Sequence, residues 1–392
     1  MARNLALAGG ALVVSLLLCE LLLRLVGIEY PVYVWTDPLR GIAHIPGSRG
    51  GGVRDGRHWI EINHDGMRGP DIPLEHPPGT LRIALLGDSF IEAFEVAFDS
   101  TVGQVLARRL SALRGAPVEV LNFGVGGYGT TQELLTLRAQ VWKYTPDLVL
   151  LAVTTGNDIT DNYRPLSQDS YRPYYVYRGQ ELVLDTSFLE SQAYRSRAVW
   201  TRRLLGVVRG SSLVQLINRV RHASRRSGRQ QQNMGGSIQG DELGLRDEVQ
   251  LPPATADWRE AWRVTEGVLR MMRDECRGRH TPFALVTLTR GTQVTPVPAQ
   301  KASTLRQLGV PDLYYPERRL ADFGRHEGIS VLNLAPTMAV EAEQRQVYFH
   351  ALGDSLGIGH WNSAGHRAAG NRIAEWLALD LAGSVNAPAA AR

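Results

Sequence analysis

A doubly wound α/β fold around a five-stranded parallel sheet is what this sequence predicts, and three observations carry it. Short apolar runs of strand length recur along the chain, at residues 81–86, 118–122, 147–153, 283–288 and 329–334. Helix-length segments with one apolar face fall between them, the pattern of strand–helix–strand units with right-handed crossovers. Most tellingly, the first run ends abruptly at Gly87-Asp88-Ser89. That reads as a buried strand delivering a serine at its carboxyl end, the edge where open α/β sheets bind ligands.

The totals agree with a globular protein. The chain has 392 residues, 44% hydrophobic and 21% charged, enough for one large domain or two ordinary ones. A formal charge of +4 is mild and does not suggest a nucleic-acid partner. The two cysteines, Cys19 and Cys276, are far apart and build neither a disulfide framework nor a zinc motif.

Residues 5–28 are apolar apart from Glu20 and Arg24, and long enough as a helix to cross a bilayer. Glu20 and Arg24 stand at i and i+4 and can pair near the far interface. Arg3 and the amino terminus favour a cytoplasmic start, and no small-residue cleavage site follows. Leu18 ahead of Cys19 also speaks against a lipoprotein cysteine. Residues 1–28 therefore read as an uncleaved anchor in the inner membrane, with the remainder periplasmic or extracellular; a cleaved signal is the second reading. Residues 29–79, rich in Gly, Pro, His and Arg, read as a spacer or apron, with a short strand at 58–62 and a turn at Asn63-His64-Asp65-Gly66.

The main domain spans residues 80–382. Between its strands, helices are expected at 101–113, 132–143, 258–277 and 316–326, with 364–379 closing the fold. An insertion at about 159–256 opens on an expected β-hairpin, 174–178 with 181–185. No acidic residue occurs between Glu190 and Asp241, while arginines recur from Arg195 to Arg229. This Arg-rich stretch is either a solvated helix face or a contact for anionic lipid headgroups or an anionic polymer. Residues 225–240 and the tail 383–392 read as disordered.

Three more segments fall at the carboxyl ends of expected strands. They are the glycine-rich run from Asn122 to Thr130, the Thr154-Thr155-Gly156-Asn157-Asp158 segment, and His360-Trp361-Asn362-Ser363-Ala364-Gly365-His366, reached through a loop at 346–359. A serine, a glycine loop, an asparagine and a histidine at one sheet edge supply a nucleophile, a base and oxyanion donors, the parts of acyl transfer.

With these residues in order, the chain resembles the SGNH (GDSL-type) hydrolase superfamily, and the anchor with Gly66-Met67-Arg68-Gly69-Pro70 ahead of the serine strand resembles its bacterial membrane-anchored members. The resemblance covers about residues 80–165 and 260–380 and implies a flavodoxin-like sheet. It further implies Ser89 as nucleophile and His360 as general base. The Ser89 and Gly127 N–H groups and the Asn157 amide become the oxyanion donors. One departure stands out. The family places an aspartate three residues before the histidine, where this chain has Gly357. Asp354 is the nearby carboxylate that could complete a triad, unless a backbone carbonyl orients His360 and leaves a dyad; His366 is the other candidate base, with a structural role preferred.

The expected function is a serine-dependent esterase on an acylated glycan or lipid outside the cytoplasmic membrane, with no cofactor and no metal. An O-acyltransferase for a cell-envelope polysaccharide would use the same residues, and a catalytically weak glycan-binding or assembly protein is the third reading.

Overall fold

The computed structural model describes residues 2–26, 32–52, 55–203, 210–217, 220, 247–353 and 355–385. Five parallel strands form its central sheet: β1 (Leu81–Leu86), β2 (Val118–Asn122), β3 (Leu148–Val153), β4 (Phe283–Thr287) and β5 (Ser330–Asn333). Their spatial order is β2-β1-β3-β4-β5, the flavodoxin-like order expected. The chain runs outward from β1 to β2 and then returns across β1 to β3. The strand order therefore reverses beside β1, which places Ser89 and Asn157 on either side of the switch point.

The strands are apolar at consecutive positions because both faces are covered. On one face, Ala84, Leu86, Leu151 and Leu285 pack against α3 (Thr130–Ala139), α4 (Ala256–Gly278) and α5 (Tyr315–Glu327). On the other, Ile83, Leu85, Leu150 and Val286 meet α2 (Val102–Arg114), α6 (Leu334–Arg345) and α7 (Ser363–Val385). Gly370 lets α2 and α7 lie close, since a Cβ there would stand 2.7 Å from the Val105 side chain, while Gly103 sets α2 against the sheet, where a Cβ would stand 3.3 Å from Val120.

The amino-terminal helix α1 (Ala2–Leu25) holds a run, Leu7–Leu25, of mean hydropathy 2.0, long and apolar enough to cross a membrane and not buried among the described residues. Glu20 and Arg24 near its end are paired at 2.8 Å and also reach the insertion. The Glu20 carboxylate accepts from the Ser211 hydroxyl and the Ser212 and Leu213 N–H groups, while Arg24 donates to the Gly210 carbonyl. The apron forms two small hairpins, Val34–Asp37 with Gly41–His44 and Arg49–Gly52 with His58–Glu61. The insertion hairpin pairs Tyr174–Arg178 with Glu181–Asp185, the bounds expected.

Several expectations are corrected. The region before His360 is not a plain loop. Helix α6 follows β5 directly, its Pro336 tolerated in the first turn, and His350–Leu352 then pairs antiparallel with Ser355–Trp361. Gly357 and Gly359, at φ +75° and +86°, obscure that strand's pattern in the sequence. The helix expected to reach residue 143 stops at Ala139 and continues as a tighter turn, Val141–Tyr144. The last helix runs on to Val385, beyond the expected start of the tail. Residues 225–240 and 386–392 lie outside the described residues.

Candidate active site

β1 ends at Leu86 and Gly87 follows, where a Cβ would stand 2.4 Å from the Ile91 side chain. Asp88 then caps a one-turn helix, Ser89–Glu92, its carboxylate accepting from the Phe90 N–H at 3.0 Å. This turn raises Ser89 to the carboxyl edge of the sheet, half-exposed, while Asp88 beneath it is fully buried. Ser89 Oγ lies 2.7 Å from His360 Nε2. A hydroxyl in hydrogen-bond reach of an imidazole is the geometry of an activated nucleophile.

The candidate oxyanion donors Gly127 and Asn157 lie in the segments that follow β2 and β3. Gly124 admits the close approach of the glycine-rich loop, since a Cβ there would stand 2.4 Å from the Glu92 nitrogen. The loop is pinned by the Gly126 N–H donating to Glu92 Oε1 at 2.9 Å. Gly127 follows, exposed and at φ +80°, with its carbonyl accepting from Arg172 at 2.8 Å. Among the described residues, neither the Ser89 nor the Gly127 N–H is engaged by another group. Asn157 Nδ2 donates to Asp88 Oδ2 at 3.1 Å, which fixes the amide beside the serine.

His360 is held from behind. His350 donates from Nδ1 to the Gly359 carbonyl at 2.6 Å, and its Nε2 accepts from Thr289 Oγ at 2.8 Å; the Trp361 indole donates to the same hydroxyl. Burial pulls the His350 imidazole down to about 4, so it is neutral and suited to these roles. The Phe90 ring lies 4.9 Å from that of His360.

On the far side of the imidazole stands a residue that sequence reading missed. Glu95 Oε1 is 3.2 Å from His360 Nδ1, and both side chains are buried. Glu95 follows Ser89 by six residues, in the segment Glu92-Ala93-Phe94-Glu95-Val96. The expected carboxylate, Asp354, is near the histidine in sequence, whereas Glu95 comes from the serine block. Two glutamates buried in an otherwise apolar segment were the available signal, because such groups need partners. Asp354 lies outside the described residues. His366 is buried in α7, its Nδ1 accepting the Val102 N–H at 3.3 Å, and burial pulls it down to about 3. The structure thus brings together Ser89, His360, Gly127 and Asn157 and adds Glu95, while His366 serves the packing of α7 on α2.

Beneath Asn157, burial raises the carboxyl groups of Glu133 and Asp158 well above the usual range, each further raised by a neighbouring acid. Burial also raises Asp88, against the opposing hydrogen bonds from Phe90 and Asn157. Among the described residues no group of three or more His, Cys, Asp or Glu could hold a metal ion.

Residues 83–187 match the family model described as GDSL-like Lipase/Acylhydrolase, a segment containing Ser89, Glu95, Gly127 and Asn157. The chain is also similar to a lipase/acylhydrolase from Enterococcus faecalis, at 14% identity and TM-score 0.36, covering 76% of this chain and 96% of that one. A variant acetyl xylan esterase from Geobacillus stearothermophilus is similar at 11% identity and TM-score 0.36, covering 75% and 93%. No curated protein matches.

Proposed function

We propose that this chain, a member of the GDSL-like lipase/acylhydrolase family and an ester-hydrolysing enzyme, acts through Ser89, His360 and Glu95 on an acylated glycan or lipid outside the cytoplasmic membrane. The observation that carries the mechanism is the line of three groups, Ser89 Oγ at 2.7 Å from His360 Nε2 and Glu95 at 3.2 Å from Nδ1. His360 takes the hydroxyl proton as Oγ attacks the ester carbonyl. The oxyanion is held by the Ser89 and Gly127 N–H groups and the Asn157 amide; losing one such donor typically costs on the order of 100- to 1000-fold in rate. The carbon–oxygen bond to the alcohol then breaks, and His360 returns its proton to the departing oxygen. Water, activated by the same imidazole, releases the acid and restores Ser89. Glu95 keeps the imidazole in the tautomer that presents a free Nε2 and stabilises the imidazolium once it forms.

The partial exposure of Ser89, Gly127 and Asn157 supports a large substrate, because the reacting hydroxyl is reachable from outside. Leu356 and Ile358 are exposed in the strand that delivers His360, and offer apolar surface to an acyl chain. Helix α1 supports a location on the membrane. In this reading residues 1–28 anchor a hydrolase domain, 80–382, through the apron at 29–79.

A fluorophosphonate probe tests the assignment: the wild-type chain is labelled at Ser89, and Ser89→Ala abolishes labelling. Labelling that survives the substitution refutes it. With p-nitrophenyl acetate, hydrolysis gives steady turnover; a burst relieved only by an added glycan identifies a transferase instead.

A further inference from the structure

Five consecutive carbonyls of the segment carrying Glu95 accept hydrogen bonds from the apron. Arg68 donates to Glu92 (2.8 Å), Ala93 and Val96; His58 Nε2 lies 3.0 Å from the Phe94 oxygen; and the Asp55 N–H donates to Glu95 at 3.0 Å. Beyond Glu92 the segment belongs to no helix or strand, and within it only the Ala93 carbonyl has an internal partner, the Val96 N–H at 3.3 Å, so its other carbonyls need outside donors. After Glu92 the one-turn helix ends at Ala93, a non-glycine residue at φ +54°. A backbone left like this in a buried place would strand its carbonyls, each at a cost on the order of 1–3 kcal/mol.

Arg68 is itself nearly inaccessible, and its guanidinium lies 5.7 Å from the Phe94 ring centre. Burial pulls it down to about 10, with Glu92 and Glu95 opposing, so it stays charged at neutral pH. The turn that aims it is rigid. Asn63 accepts the Met67 N–H on its side chain at 2.9 Å and donates its own N–H to the Met67 carbonyl. Asp55 reaches the other partner as well, since its carboxylate accepts the N–H and hydroxyl of Ser363, three residues after His360, both at 2.7 Å. A second link runs from the apron to the oxyanion loop: His44 Nε2 lies 2.7 Å from Glu92 Oε1, the same oxygen that holds the Gly126 N–H.

We propose that the apron is part of the catalytic machinery, with Arg68 a positioning residue that fixes, through the carbonyls from Glu92 to Val96, where the Glu95 carboxylate stands against His360. This rests on the reading of Ser89, His360 and Glu95 as the catalytic set. None of the apron donors lies within the segment that matches the family. The carboxylate that faces His360 is therefore supported by residues outside that segment. Besides Glu95, the titratable groups whose charges act on His360 include Asp88, His350 and His366; Arg68 hydrogen-bonds none of them, though its charge also acts on His366.

The test compares the wild type, Arg68→Met, Arg68→Lys, Glu95→Gln and the double variant R68M/E95Q on p-nitrophenyl acetate over a pH series. Arg68→Met lowers kcat about 100-fold with KM changed less than about twofold, and moves the acidic limb of the kcat/KM profile in the same direction as Glu95→Gln. Arg68→Lys recovers part of the loss. The double variant is less than about tenfold slower than Glu95→Gln alone, because both changes disable one device. Should Arg68→Met fail to fold, His58→Ala removes a single carbonyl partner and shows a smaller shift of the same limb. Full multiplication of the two losses, or a profile that keeps its wild-type shape in every folded apron variant, overturns the proposal. Fluorophosphonate labelling separates the two readings. An unlabelled Ser89 in the wild type refutes the catalytic set itself, whereas labelled Ser89 with multiplicative losses refutes only the role of the apron.

Discussion

Asp88 and Glu95 lie seven residues apart, on either side of the proposed nucleophile Ser89, yet they are held in opposite ways. Asp88 is fixed by its own neighbourhood: its carboxylate caps the turn it begins, through the Phe90 N–H, and holds Asn157 from the adjacent strand. Glu95 is fixed from outside. Its backbone is carried by Asp55, His58 and Arg68, and its carboxylate faces a histidine more than 260 residues away. In the proposed mechanism one carboxylate supports the oxyanion side through local turn chemistry, and the other supports the base through long-range contacts. Motif reading finds the first kind of site and misses the second.

The largest effect is expected at the base itself: His360→Ala lowers kcat/KM by more than about 10⁴-fold, as when one member of a hydrolase triad is removed. A residual rate within tenfold of wild type places the base elsewhere. Next comes Asp88→Ala, which frees the Asn157 amide. It slows turnover on the order of 100-fold while fluorophosphonate labelling of Ser89 persists; loss of labelling in a folded variant would show that Asp88 supports the nucleophile rather than the oxyanion. His366→Ala, by contrast, costs stability through the packing of α7 and leaves kcat/KM within about threefold, since a buried imidazole bonded to the Val102 N–H has no access to Ser89. A large kinetic loss in folded His366→Ala restores it as a base.

The smallest effect is on stability against acid. His350 and His366 are pulled from 6.5 to about 4 and about 3 in the folded chain. Between those values and 6.5 the unfolded chain binds more protons than the folded one, so stability falls as pH falls through that window. The raised carboxyl groups of Glu133 and Asp158 act with the opposite sign, contributing stability at low pH that is lost as pH rises through their folded values. Urea midpoints measured from pH 7 to 4 should therefore drop less in His350→Gln than in wild type. Equal drops would show that His350 does not titrate as its burial implies.

The strand order and the serine, glycine, asparagine and histidine were legible in the sequence because each is a local signal: an apolar run ending in turn residues at a sheet edge. The insertion hairpin was legible for the same reason, its alternation bounded by Gly179 and Gln180. What was not legible depends on folding at long range. The strand bearing His360 carries left-handed glycines that disguise it as loop. The two apron hairpins are four-residue strands, too short for a periodic signal apart from the second strand of one pair. Glu95 and its apron partners have no sequence spacing in common, so only packing brings them together.

The central claim is that Glu95 orients His360. Its most direct test is kcat/KM on one small ester for Glu95→Gln and Asp354→Asn, each verified as folded. Glu95→Gln should lose on the order of 10³-fold, since an amide that favours the wrong imidazole tautomer costs about 10⁴-fold in a well-studied serine protease. Asp354→Asn should stay within tenfold, under about 1.4 kcal/mol of transition-state stabilisation. The reverse order, a severe loss at Asp354 and a mild one at Glu95, would contradict the account.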